Sequence, residues 1–285
     1  MASPRNFNLE LGIIASTLKA VASLEVARTE SIAEVSGINI QKAKGMLGWL
    51  LSAKLIISST TGYKLTPIGK AVFEGDPNVG RNGTLWVLYY GLSSNPDFPV
   101  WYILANRFLP SRNEFSHNEA LQFLLECCLT KKTRDSHIVL RDSLDQHLKS
   151  DLSLFLRAMT RENSMGSLRY LLIVGDGRDR VDLCRYRRIP NPEIDPLIVA
   201  LVLYQERNRC RPGASTWNVP DLLASEGNVG RVFGLKEERF LRYVGQLQER
   251  RLLTFTRHAN LYQIGFPWQG NTIELLEMYY KENSP

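Results

Sequence analysis

The sequence predicts a mainly α-helical fold with small β-hairpins, organised as tandem winged helix-turn-helix units joined by a helical middle region. Three observations predict it. The order helix, helix, helix, hairpin reads once near each end of the chain. Between them lies an aromatic run too apolar for a surface segment. The length of 285 residues also exceeds one small core, at ~100–200 residues per domain. The expected boundaries are 1–75, 76–192 and 193–285.

In the first unit, "LELGIIASTLKAVASL" places Leu11, Ile14, Leu18 and Val21 at helical spacing. "TESIAEVSG" follows as a short helix, with Thr29 or Ser31 as N-cap and Gly37 as its stop. The third helix, "NIQKAKGMLGWLLSAK", turns Ala43, Leu47, Leu50 and Leu51 inward and Gln41, Lys42, Lys44 and Gly48 outward. "LIISSTTGYKLT" then alternates about a Thr-Gly turn, as a hairpin does.

The last unit repeats that order without repeating the sequence. "DPLIVALVLYQERN" reads as an apolar helix, "VPDLLASEG" as a short one and "KEERFLRYVGQLQERR" as an amphipathic one. Phe240, Val244 and Leu247 form its inward stripe, with Arg239, Arg242, Gln246 and Arg250 opposite. "LLTFTRHANLYQIGF" is the hairpin, its turn at His258 to Asn260.

The middle region opens with "TLWVLYYGL" and "PVWYILANRFL", buried helices that tie the units together. It continues through "HNEALQFLLECC", "SHIVLRDSLDQHL" and "SDLSLFLRAM" as separate helices. It ends on "SLRYLLIVGDGRDRVDLCRYRR", two strands about a Gly-Asp-Gly turn. Helices followed by a hairpin again point to a degenerate winged helix. Trp49, Trp86, Trp101 and Trp217 sit in apolar stretches and read as core.

Composition excludes several classes. With 44% hydrophobic and 22% charged residues the chain is neither disordered nor fibrous. Its longest apolar run, "PLIVALVLY", falls short of the ~20 residues that span a bilayer. The N-terminus has no charged and then apolar leader pattern, so a cytoplasmic protein is expected, and Cys127, Cys128, Cys184 and Cys210 read as reduced thiols. A formal charge of +6 points to a polyanionic partner. Eight basic residues stand against five acidic in 1–75, sixteen against thirteen in 76–192, and eleven against eleven beyond, so local clusters matter more than any segment. These are Lys131, Lys132 and Arg134 in one loop, Arg178, Arg180, Arg185, Arg187 and Arg188 about one hairpin, and Arg239, Arg242, Arg250, Arg251 and Arg257 in the last unit.

Motifs for chemistry are missing. There is no GxxxxGK[ST], no GxGxxG between strand and helix, no GxSxG and no HExxH. His117, His137, His147 and His258 are scattered. Asp176, Asp179 and Asp182 flank a tight turn whose alternating residues diverge, so a polar turn is expected rather than a carboxylate metal site. Neither metal nor cofactor is expected, and no catalytic residues are assigned.

DNA contact needs polar side chains at a helix's exposed start and cations on neighbouring elements to hold phosphates. In the first unit Gln41 and Lys44 are placed for bases, and Lys42 with wing residues Tyr63 and Lys64 for phosphates. In the last, Arg239, Arg242, Gln246 and Arg250 lie on the third helix and Arg257 and His258 on the wing, diluted by Glu237, Glu238 and Glu249. Lys131, Lys132 and Arg134 complete the expected set.

The segment "LTPIGKAVFEGDPNVGRNGTLWVLYYGLSSNPDFPVWYILANRF", residues 65–108, resembles an uncharacterised bacterial domain-of-unknown-function family. That family carries Leu-Thr-Pro-x-Gly, then Asp-Pro, then Thr-Leu-Trp and Asn-x-Phe. Trp49, "LRDSLDQHL" and "GRVFGLKEERFLRYVGQL" extend the match, which departs in lacking the family's aromatic-rich N-terminal lead-in. Genes of that family stand beside DNA phosphorothioation and phage-defence genes. The resemblance therefore implies a non-enzymatic accessory protein that binds double-stranded DNA alongside other subunits of a modification or defence complex. A winged-helix transcriptional regulator and a protein-interaction scaffold are the alternatives.

Overall fold

The computed structural model describes residues 7–129, 139–174, 183–258 and 261–283. It is mostly helical with small antiparallel sheets. Helix α1 (Leu11–Ser23) buries Ile14, Leu18 and Val21, as its spacing requires. At the start of α2 (Thr29–Val35), Arg28 takes the N-cap position with no side-chain cap, so neither Thr29 nor Ser31 plays that role. Gly37 follows at φ 65° and ends it. Helix α3 (Ile40–Ser52) starts on a real cap, where Asn39 accepts from the Lys42 backbone N–H at 2.8 Å.

From Gly45 to Leu50, α3 is buried on every side, including Gly48, which the pattern alone placed outward. Its neighbours are the reason. Phe7 lies over Gly45, where a Cβ would strike its ring, and the Trp49 indole N–H donates to Phe7 O at 3.0 Å. The Trp49 ring meets Phe98 and Trp101 edge-on, each at 5.6 Å between centroids. Strands β1 (Ile56–Ser59) and β2 (Gly62–Leu65) form the hairpin, in register from Ile56↔Leu65 to Ser59↔Gly62. Ala27, just before α2, bridges to Tyr63 at the hairpin's outer side.

Helix α4 (Pro67–Gly75) begins on Thr66, whose hydroxyl accepts from Gly69 N at 3.0 Å, with proline in its first turn. Asp76 ends the connection rather than lying in solvent: it is buried, and its carboxylate accepts from Arg81 N at 2.8 Å. Helix α5 (Asn82–Ser93) is buried continuously from Gly83 to Ser93, as expected of a helix apolar on all faces. Trp86 on α5 meets Tyr89, Tyr170 and Phe233 edge-on, so one indole joins three parts of the chain. The four tryptophans read as core are all buried.

After α6 (Pro99–Ile103) comes a π-helical turn, Leu104–Phe108, then a 3₁₀ turn, Leu109–Ser111. The middle region continues with β3 (Glu114–Ser116), α7 (His117–Leu129), α8 (Val139–Thr160), a 3₁₀ turn at Met165–Leu168, β4 (Leu171–Val174) and β5 (Arg185–Arg188). Two helices expected around Ser150 are one helix of 22 residues, because nothing there breaks it. The expected hairpin is present, and β3 joins it in the order β3-β5-β4. Its Gly-Asp-Gly turn, with Asp176, Asp179, Asp182, Arg178 and Arg180, lies outside the described residues, as do Lys131, Lys132, Arg134 and His137.

The last part runs α9 (Pro196–Cys210), β6 (Thr216–Asn218), α10 (Val219–Ala224), α11 (Val229–Val232), α12 (Glu237–Glu249), β7 (Thr254–His258), β8 (Leu261–Gly265) and α13 (Thr272–Glu282). Its sheet has the order β6-β8-β7. One connectivity thus occurs three times: a short extended segment, helices, then a hairpin whose second strand pairs with that first segment. Buried residues from Leu9 to Tyr280 form one continuous cluster, so the three parts share a core. No described helix is long and apolar enough to cross a membrane.

Candidate nucleic-acid interface

Of α3, only the first turn is open. Gln41 and Lys44 are exposed, as is Lys64 on β2. Lys42 is half-buried and its Nζ sits 3.3 Å from Glu10 Oε1, so a side chain expected to be a free phosphate contact already has an anionic partner. Ile40 and Val35 are exposed beside this turn. The helix presents a short mixed tip rather than a long polar face.

Helix α12 is different because only one stripe of it is buried. Phe240, Tyr243, Val244 and Leu247 face the core. Arg239 is half-buried, and Arg242 and Gln246 are exposed. Among the described residues neither guanidinium has a carboxylate partner, in contrast with Arg107, Arg187, Arg209 and Arg250, which are all paired. Arg250 is bound through its Nη1 to both carboxylate oxygens of Glu282 at 2.9 Å, so it braces α12 against α13.

The hairpin beside α12 is fixed by aromatic and acidic groups. The Tyr262 hydroxyl donates to Glu237 at the start of α12, and the Arg257 guanidinium lies 5.3 Å from the Tyr262 ring centroid. His258 is exposed at the end of β7, and the hairpin's turn lies outside the described residues. Of the middle arginines, Arg185 is exposed, Arg187 pairs with Glu114 at 2.6 Å, and Arg188 points inward at 5% exposure, its Nε donating to Arg112 O at 3.2 Å. That cluster is therefore not one cationic face.

Arg239, Arg242 and Gln246 also border a cleft of about 400 Å³. Its other walls come from the start of α5 (Asn82, Gly83, Trp86), the segment leading into α9 (Glu193 to Pro196) and the end of α13 (Tyr279, Asn283). Two tyrosines hold those walls. The Tyr243 hydroxyl accepts from Ile194 N at 3.0 Å and donates to Pro192 O at 3.2 Å. The Tyr279 hydroxyl accepts from Gly83 N at 2.9 Å. Burial raises the pKa of both hydroxyls, which keeps them neutral hydrogen-bonding groups. Sequence reasoning missed this cleft, since Asn82 and Arg242 are distant in the chain and no spacing links them. Among the described residues no group of His, Cys, Asp and Glu is placed to hold a metal ion.

A family model described as "Protein of unknown function (DUF4007)" matches residues 30–280. The chain belongs to this family. The match spans residues 65–108 and the whole of α12 and its hairpin. Two solved structures, one of SspB and one of magnesium ion-bound SspB, share the fold of this family member with a TM-score of 0.74 at 15% identity. Each alignment covers 97% of this chain and 85% of the other. No curated protein matches the sequence.

Proposed function

We propose that this chain is a non-enzymatic, multi-winged-helix DNA-binding accessory subunit of a bacterial DNA-modification system of the phosphorothioation type, or of a phage-defence system, working beside other protein subunits. The observation that carries this reading is the open face of α12. Arg239 and Arg242 stand without acidic partners on the third helix of a helix-helix-helix-hairpin unit, next to a wing bearing Arg257 and His258. A winged helix uses its third helix and wing in this way on duplex DNA. The threefold connectivity supports the winged-helix reading, and the family resemblance at 65–108 supports the setting.

The first unit favours a second role. With half of α3 buried and Ile40 and Val35 exposed at its tip, this end suits a protein neighbour better than a major groove. A salt-titrated gel shift on duplex DNA, with and without phosphorothioate linkages, tests the main reading. Affinity should fall linearly on a log–log plot, with a slope of about −0.9 per phosphate neutralised. A flat response, or no binding at ~50 mM salt, overturns it. Footprinting confined to the gene's own promoter would favour a transcriptional regulator instead.

A further inference from the structure

We infer that the cleft between α12, α5 and the segment entering α9 binds a nucleoside monophosphate unit, either a free nucleotide or one extruded from DNA. The site rests on its own chemistry and does not require that α12 enter a major groove. Its volume of about 400 Å³ lies within the ~300–1,000 Å³ range of small-molecule clefts.

The lining offers what each part of a nucleotide needs. Arg239 and Arg242, one helical turn apart on α12 and free of acidic partners, supply forked donors that match a phosphate. The amide side chains of Asn82 and Gln246 line the same cleft and have no partner among the described residues. Such amides pair with the donor and acceptor edge of a base, and the exposed Glu193 carboxylate accepts from a base amino group.

A site for phosphate alone would not need these amides or the acid. A carboxylate beside bare phosphate would weaken it. The mixed lining fits a ligand with an anionic end and a donor-bearing end. The walls are also preset, because the hydroxyls of Tyr243 and Tyr279 are already bonded to Ile194 N and Gly83 N. A ligand would therefore order the side chains that touch it and leave the backbone walls as they are. The starts of α5 and α9 border the cleft, but Tyr279 and Asp195 already satisfy backbone N–H groups there, so the argument does not rest on helix dipoles.

Calorimetry with the full chain and each deoxynucleoside monophosphate, the matching nucleosides and inorganic phosphate tests the site. A parallel arm uses a duplex with one bulged 2-aminopurine and the same duplex without the bulge. Binding of a free monophosphate, weakened tenfold or more by Arg239→Ala or Arg242→Ala and unchanged by Arg250→Ala, supports the inference with the free nucleotide as ligand. Tenfold preference for the bulged duplex, lost in the same variants, supports it with DNA as the source. Binding of neither, or equal binding of inorganic phosphate and nucleotide, overturns it. Should the monophosphate bind while intact duplex does not, the DNA-binding reading fails and this one stands. The exposed Gln246→Ala is a second variant that leaves the core untouched, and it should weaken nucleotide but not phosphate.

Discussion

The hydroxyl of Tyr90 on α5 donates to Glu206 Oε1 on α9 at 2.6 Å. Glu206 is only 2% exposed, and Arg209 binds both of its oxygens. A carboxylate this deep persists because it is fully engaged; a tyrosine of the middle region and an arginine of the last region meet on it. Removing one partner of such a buried set costs about 3–5 kcal/mol, because what remains is an uncompensated buried charge. Arg209→Ala, which leaves the buried Glu206 carboxylate without its cation, should therefore lower the denaturant midpoint strongly, and the loss should exceed that of Tyr90→Phe. Equal midpoints for Arg209→Ala and the parent would contradict this.

Gly83 and Gly75 are close-approach positions. A Cβ on Gly83 would strike the Tyr279 ring, and one on Gly75 the Tyr280 ring. Gly83→Ala should destabilise by about 1–3 kcal/mol through overpacking. In the Tyr279→Ala background the same change should cost far less, a coupling that a double-mutant cycle measures. Additive effects would mean that the two residues do not meet.

Asn106, in the π-helical turn, is buried. Its amide donates to Ser93 O and Tyr102 O, each at 2.9 Å, and its oxygen accepts from Gly227 N at 2.6 Å. Asn106→Leu strands these groups at about 1–3 kcal/mol for each one left unpaired. Hydrogen exchange at Gly227 should quicken in this variant ahead of exchange in α12. Glu226 next door receives Arg107 at 2.7 and 3.1 Å, so the loop should stay docked.

For DNA, charge reversal separates free from committed cations. Arg239→Glu and Arg242→Glu should each reduce the salt slope by about one and weaken duplex binding uniformly across sequences. Arg250→Ala and Lys42→Ala should change DNA affinity far less, since Glu282 and Glu10 already hold those side chains. Gel shifts at several salt concentrations read the difference; an equal loss from all four would place the interface elsewhere.

Stability should fall at alkaline pH. Burial, then the hydrogen bond to Glu226, pushes Tyr102 up to about 12, and burial pushes Tyr204 up to about 12. Burial and the Glu206 carboxylate hold Tyr90 well above the ordinary value. A raised folded pKa favours the neutral hydroxyl, so this stability is complete below the unfolded value of ~10 and is lost as pH rises through 12. Glu226 has the opposite sign: the hydrogen bond from Arg107 lowers its pKa, so its contribution is present above the unfolded carboxylate value of ~4.3 and is lost on acidification. Thermal melts between about pH 3 and pH 12 should show stability falling at both ends, and a flat profile above about pH 10 would contradict the tyrosine assignments.

Local pattern by itself determined most of the helices, the two outer hairpins and the burial of the tryptophans. These depend on residues close in sequence, where periodicity and capping act directly. Membership of a family of unknown function was also expected, and such a family matches residues 30–280. Only the tertiary structure decided the rest. It buried Gly48 and half of α3, because Phe7 and Trp101 close over a face whose local pattern reads as exposed. It added β3 and β6, three-residue strands too short to carry an alternation. It gave Lys42 and Arg250 to acids from other elements and left Arg239 and Arg242 free. A charge is a property of its residue, but its availability depends on what the fold brings beside it.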